Sequence, residues 1–118
     1  MPVKQASTRS PKDSVELPDD YSKNCVQLCG KVSGAPAEKE LPSGDKVVEF
    51  RIVVGRASRE GVDTLDIAAW SSKTRRSALT LKPGQWVEVE GQIHRRFWQA
   101  PNGLASRWQV ESEIITKI

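Results

Sequence analysis

An all-β barrel of five strands, with one short helix between the third and fourth, is the fold this sequence predicts. Three observations carry it. From Asn24 onward, apolar and polar residues alternate with the period of two that half-buried strands require. Turn-forming clusters of Gly, Pro, Asn and Asp separate these stretches. Ser72 to Leu81 is the single good helical candidate.

The first strand begins near Asn24. Val26, Leu28, Gly30 and Val32 share one face, and Cys25, Gln27, Cys29 and Lys31 the other. A loop is expected through Ala35, Pro36 and Pro42 to the Ser43-Gly44-Asp45 turn. The second strand runs from Lys46 to Val54, with Val48, Phe50, Ile52 and Val54 inward and Glu49, Arg51 and Val53 outward. A polar loop from Arg56 to Asp63 leads to the third. There Leu65, Ile67 and Ala69 alternate against Thr64, Asp66, Ala68 and Trp70. Ser72 is placed to cap the helix, and Pro83-Gly84 lies beyond its end. The fourth strand starts near Gln85, and the fifth runs from Ala105 to about Lys117. Five antiparallel strands in this order, with this helix, give the Greek-key barrel of an OB-fold.

The 118 residues suffice for one domain with a modest core. Residues 1–23 carry Pro2, Pro11 and Pro18, four basic and four acidic side chains and no apolar periodicity, so they are expected to form a flexible arm ahead of a folded domain at 24–118. Apolar content is 37%, no run approaches the ~18 residues of a membrane span, and the N-terminus lacks an apolar signal core. A cytoplasmic protein without membrane contact is expected. Cys25 and Cys29, on one strand face, would lie ~13 Å apart, too far for a disulfide. Two thiols and one His at strand spacing make no zinc site. Both cysteines read as reduced packing or interface residues. The nearly uncharged face they share suits contact between copies across a two-fold axis.

Net charge is only +3, but Lys73 to Arg107 holds seven basic residues against Glu88 and Glu90. Within it, Leu81 to Trp108 reads as a strand, an Arg-Arg-Phe-Trp run, a polar Asn-Gly tip and an Arg-Trp return. Cations beside aromatics on a long hairpin suit single-stranded nucleic acid, since guanidinium groups hold phosphates and flat rings stack on bases. With Asn102-Gly103 as a two-residue turn, Phe97 faces Trp108 and Trp98 faces Arg107. Trp98 reads as a stacking residue, whereas Trp108 reads equally as a stacking residue or a cover for the end of the barrel. Trp70 has outward parity, which suits a ligand or an oligomer contact. Trp86 shares its face with Glu88 and Glu90 and reads as packing against the helix or a neighbouring subunit. Arg95, Arg96 and Arg107 are the leading phosphate contacts, with Arg51, Arg56 and Arg59 extending the track. Lys73, Arg75 and Arg76 read as a solvated helix face. No carboxylate pair in an apolar setting, Gly-rich phosphate loop or nucleophile elbow is present, so neither catalysis nor a cofactor is expected.

From Asn24 onward the chain resembles the bacterial single-stranded DNA-binding protein family. The matching segments are NCVQLCGKV, PSGDKVVEFRIVV, DTLDIAAW, LKPGQWVEVEGQI and the RRFW and RW pair, in the family's order. The resemblance implies an OB-fold that oligomerises, commonly as a tetramer, and binds single-stranded DNA with little sequence preference in replication, repair and recombination. By position, Trp70 and Trp98 fall on the family's stacking aromatics, and Arg96 and Arg107 match basic positions beside them. Thr64 stands where the family often has an aromatic, and the loop before it lacks one, which implies weaker binding or a smaller footprint. The family's acidic tail, which recruits repair and replication partners, has no counterpart before Ile118, so recruitment through it is not expected. The resulting expectation is a non-catalytic single-stranded DNA-binding protein, a homo-oligomer, using a basic groove and stacking on Trp. Its rival is an OB-fold protein-interaction module with weak residual nucleic-acid binding.

Overall fold

The computed structural model describes residues 19–118. Most of the expected arm, residues 1–18, therefore lies outside the described residues. Five strands and a helix follow: β1 (Val26–Glu40), β2 (Lys46–Gly55), β3 (Val62–Ala69), α1 (Ser72–Leu79), β4 (Trp86–Ala100) and β5 (Gly103–Lys117). They close a barrel in the order β1-β2-β3-β5-β4. This closure, with α1 between β3 and β4, is an OB-fold. No described helix is long and apolar enough to cross a membrane.

The alternation places the expected residues inside. Val32, Val48, Phe50, Ile52, Ile67, Ala69, Val87, Val89 and Val110 form the core, with Val26, Leu28, Val54 and Leu65 packed at its margin. Each fully buried Ile or Val, such as Ile52, Ile67, Val48, Val87 and Val89, contributes about 1.5–3 kcal/mol. The helix meets β1, β2, β3 and β5, burying Ala78 with Leu81 beyond its end. Its cap is Ser71, not Ser72. Ser71 is extended (φ −73°, ψ 157°) and its Oγ accepts the Thr74 N–H at 3.1 Å, the geometry of an N-cap.

Three further elements differ from the sequence reading. The expected loop after Val32 is strand, because β1 continues to Glu40 across an irregularity between Ser33 and Ala37. Gly34 takes φ +80° there, and Pro36 sits where no ladder N–H is required. The strands are not all antiparallel: β3 meets β5 in parallel through Ile67↔Val110 and Ala68↔Glu111. The Ser112 hydroxyl donates to the Ala68 carbonyl at 2.9 Å beside this seam.

The third difference is the hairpin turn, which lies one residue earlier than expected. Ala100 pairs with Gly103, leaving Pro101 and Asn102 as the turn. Proline's fixed φ near −65° forbids the left-handed first position of a type I′ turn. Asn102 has no positive φ, so the turn takes Pro at its second position and Gly103 (φ +122°) at its fourth, the type I preference. Phe97 therefore faces Ser106, Trp98 faces Ala105, and Arg96 faces Arg107.

β1 pairs with β4 through Val26–Lys31 and with β2 from Lys31 to Glu40. From Gln92 to Ala100, β4 pairs with β5 alone, and the two leave the barrel as a ribbon. Its base is pinned by Asn24, whose side-chain amide accepts the Ile93 N–H at 2.9 Å and donates to the Ile93 carbonyl at 2.7 Å.

Candidate nucleic-acid interface

Strand alternation divides the ribbon's side chains between two faces. Arg96 and Trp98 on β4, with Arg107 and Gln109 on β5, continue the barrel's outer surface. Arg95 and Phe97, with Ser106 and Trp108, continue the inner surface that carries the core residue Val110. The residues expected to act as one set are therefore split. Trp70, Arg96, Trp98, Arg107 and Arg51 come together on the outer side, whereas Arg95, Phe97 and Trp108 form a separate group behind it.

On the outer side each ring is matched to a guanidinium. Arg96 lies 5.6 Å from the Trp70 ring centre, and Arg107 lies 5.9 Å from that of Trp98. Both distances fall within cation–π range. Trp70 stands just past the end of β3, half-buried, with its backbone carbonyl accepting from Arg75. Arg75 also lies 4.0 Å from Glu38, so it is more engaged than a solvated helix residue. Trp98 keeps 40% of its surface exposed.

Two shallow depressions lie between the ribbon and the β2–β3 surface. One, of about 320 Å³, is walled by Lys39, Leu41, Glu49, Arg96, Trp98, Arg107 and Gln109. The other, of about 210 Å³, is walled by Arg51, Asp66, Ser33 and Ala35 and shares Glu49, Arg107 and Gln109. The shared walls make them one groove. Glu49 sits at its centre, accepting from Lys39 at 2.9 Å, Arg96 at 3.0 Å and Gln109 at 2.8 Å. Burial pulls the Glu49 carboxyl upward. The hydrogen bonds from Lys39 and Gln109 and the charges of Lys39 and Arg96 outweigh it and hold the group below the usual carboxylate value. Asp66 accepts from Arg51 at 2.9 Å and lies 3.8 Å from Arg107.

On the inner side, Arg95 lies 5.1 Å from the Phe97 ring centre and 5.6 Å from that of Trp108. Its guanidinium donates to Ser106 Oγ at 3.0 and 3.2 Å. Phe97 and Trp108 are more than half exposed, so Trp108 does not close the barrel. Arg56 lies beyond the end of β2, about 16 Å along the strand direction from Arg51, and its guanidinium is held by Asp63 at 3.0 Å. Trp86 is half exposed with the Lys31 ammonium 5.5 Å from its ring, rather than covered by α1. Cys25 and Cys29 are exposed free thiols, so neither packs in the core.

Sequence reasoning missed Lys39, Glu49, Asp66 and Gln109 as parts of the groove. Lys39 was hidden because its segment reads as loop. Glu49 and Asp66 carry a usable signal: both have outward parity, and Arg51 faces Asp66 across β2 and β3. No group of three or more His, Cys, Asp or Glu side chains poised to hold a metal occurs among the described residues.

Comparison with known proteins gives one consistent result. The profile of the Single-strand binding protein family matches residues 23–117. A single-stranded DNA-binding protein of Aquifex aeolicus is 26% identical over 102 residues, covering 80% of this chain and 69% of that protein. Single-stranded DNA-binding protein 1 of Chlorobaculum tepidum is 28% identical over 82 residues, covering 64% of this chain and 51% of that protein. A solved structure described as a Plasmodium falciparum SSB complex with ssDNA superposes with a TM-score of 0.70 at 20% identity, covering 85% of this chain and 98% of that one.

Proposed function

The chain belongs to the Single-strand binding protein family, and we propose that it binds single-stranded DNA along the outer groove without catalysis. Arg96, Arg107, Arg51 and Lys39 contact phosphates, and Trp70 and Trp98 stack on bases. One observation carries this reading: Arg96 and Arg107, directly opposed on neighbouring strands, each lie over a different Trp ring, Trp98 in the groove wall and Trp70 half-buried beside it. A single strand needs that alternation of cation and flat ring, because its phosphates and its unstacked bases are available together. The inner group of Arg95, Phe97 and Trp108 offers a second stack to a strand long enough to pass round the ribbon's edge, and Arg56 extends the cationic track beyond β2.

Titration with an oligothymidine, followed by intrinsic Trp fluorescence, tests the reading. Stacking on Trp70 and Trp98 quenches emission, while Trp86, outside the groove, leaves an unquenched background. Saturating oligonucleotide with no quenching and no change in anisotropy overturns it.

The rival reading, a protein-interaction module, draws on the inner face, where Ile93, Phe97, Leu104 and Trp108 are all exposed. Under that reading the fluorescence titration is flat. Association between copies is supported by β1, whose Val26–Gly30 segment has a ladder partner only on its β4 side among the described residues. A monomeric mass by light scattering at tens of micromolar overturns that part.

A further inference from the structure

Every cation of the outer groove already has a carboxylate beside it. Lys39 and Arg96 share Glu49, at 2.9 and 3.0 Å, while Arg51 and Arg107 flank Asp66, at 2.9 and 3.8 Å. These are not loose surface pairs. The Glu49 side chain is 20% exposed and that of Asp66 26%, and Glu49 is also held by Gln109, which is itself buried. Arg95, on the inner face, makes no ion pair among the described residues; its guanidinium donates to Ser106 and lies over the Phe97 and Trp108 rings.

A phosphate that approaches Arg96 or Arg107 therefore meets a guanidinium whose charge is already answered, with a fixed anion a few ångströms away. It must exchange with the carboxylate and then sit close to it. The first step cancels much of the Coulombic gain, and the second is repulsive. Stacking on Trp70 or Trp98 suffers neither cost, because a base face carries no net charge and displaces no carboxylate. The balance shifts from charge toward stacking. A polyanion whose bases are already stacked inside a duplex offers this groove phosphates only.

We propose that Glu49 and Asp66 are specificity-determining residues: anchored stand-ins for phosphate that suppress binding of polyanions unable to stack, duplex DNA foremost. The proposal rests on the outer groove being the single-strand site. The competing account gives the two carboxylates only a structural task, relieving the repulsion between Arg96 and Arg107.

Glu49→Gln and Asp66→Asn separate the accounts, since each amide keeps the shape and removes the charge. Anisotropy titrations of the full chain with an oligothymidine and with a duplex of equal length, each over a salt series, provide the readout. Glu49→Gln frees two cations, so its duplex affinity rises roughly two- to tenfold. The slope of log K against log salt for duplex steepens by as much as about 1.8. Single-strand affinity rises less, and the preference for single strand over duplex narrows. Asp66→Asn moves in the same direction and supplies the result where Glu49→Gln melts early. Duplex affinity and slope that stay constant or fall in a folded variant overturn the proposal. Loss of oligothymidine binding by the unsubstituted protein would instead overturn the function assigned above.

Discussion

Arg96 and Arg107 stand directly opposite each other across β4 and β5. Like charges at such a position destabilise a strand pair by up to about 1 kcal/mol unless something else compensates. Here each guanidinium lies over a Trp ring and beside a carboxylate, which fixes the planes of both and keeps the pair open to the groove.

Arg96→Ala and Arg107→Ala are expected to weaken oligothymidine binding and to make the salt dependence shallower by at most about 0.7 each, less where Glu49 and Asp66 already answer their charge. Their effects on the slope add, because each contributes one phosphate contact. Neither change lowers the melting temperature much, since each also removes half of a repulsive pair. A salt slope untouched by both substitutions, with affinity retained, places the phosphates elsewhere.

Gly91 sets the point where the ribbon leaves the barrel. The register of β4 against β5 shifts between Glu90 and Gly91, and a Cβ on Gly91 would come within 1.9 Å of the Glu111 carbonyl oxygen. That oxygen is backbone and cannot swing aside, so Gly91→Ala forces the strands apart. A loss of at least ~1–3 kcal/mol in urea unfolding is expected. Gly91→Ala with wild-type stability would show that the strands relax freely there.

The strand phases were legible because burial follows period-two alternation, as at Val48, Phe50 and Ile52, whose outward neighbours Glu49 and Arg51 reach the groove. What stayed hidden depends on pairing rather than phase. Pro36 and Gly34 read as loop residues, yet the strand runs through them as an irregularity, and only the ladder to β2 reveals it. The turn at Pro101 was obscured by the stronger Asn-Gly signal one residue later. Moving it by one residue shifts each cross-strand pairing by two positions and leaves every side chain on its face.

The candidate residues were legible as types and not as a set. Arg95, Arg96, Phe97 and Trp98 adjoin in sequence, but adjacency along a strand places neighbours on opposite faces. Glu49 and Asp66 carry outward parity as a signal, but a carboxylate in a basic groove runs against the charge pattern, and its part in the groove rests on its distances to four cations.

Acid should weaken the fold through Glu49. Its carboxyl is held below its ordinary value of 4.5 in the folded chain by Lys39, Gln109 and Arg96, against the upward pull of burial. Between the depressed folded value and about pH 4.5, the unfolded chain binds a proton that the folded chain does not, so stability rises with pH there. The contribution is complete above that window and is lost as pH falls through the folded value. As pH is lowered from 6 to 3, urea midpoints should fall more steeply for the wild type than for Glu49→Gln. Parallel curves would show that Glu49 contributes nothing to acid sensitivity.

The two faces of the ribbon make a final prediction that depends on the length of the ligand. Trp98 shares the outer face with Arg107, whereas Trp108 lies behind it with Arg95 and Phe97. An oligothymidine of about six nucleotides, near the small end of the site sizes for one OB barrel, fills the outer groove alone. For that ligand, Trp98→Ala costs ~1–3 kcal/mol, the value of one base–aromatic stack, and Trp108→Ala costs much less. A strand of about sixteen nucleotides is long enough to turn round the ribbon's edge and reach the inner stack, so Trp108→Ala becomes costly only there. Neither variant approaches the ~3–5 kcal/mol of stability lost with a buried Trp, because Trp98 is 40% and Trp108 57% exposed. If Trp108→Ala weakens the short oligonucleotide as much as Trp98→Ala does, the strand does not lie in the outer groove, and the inner face is the primary site.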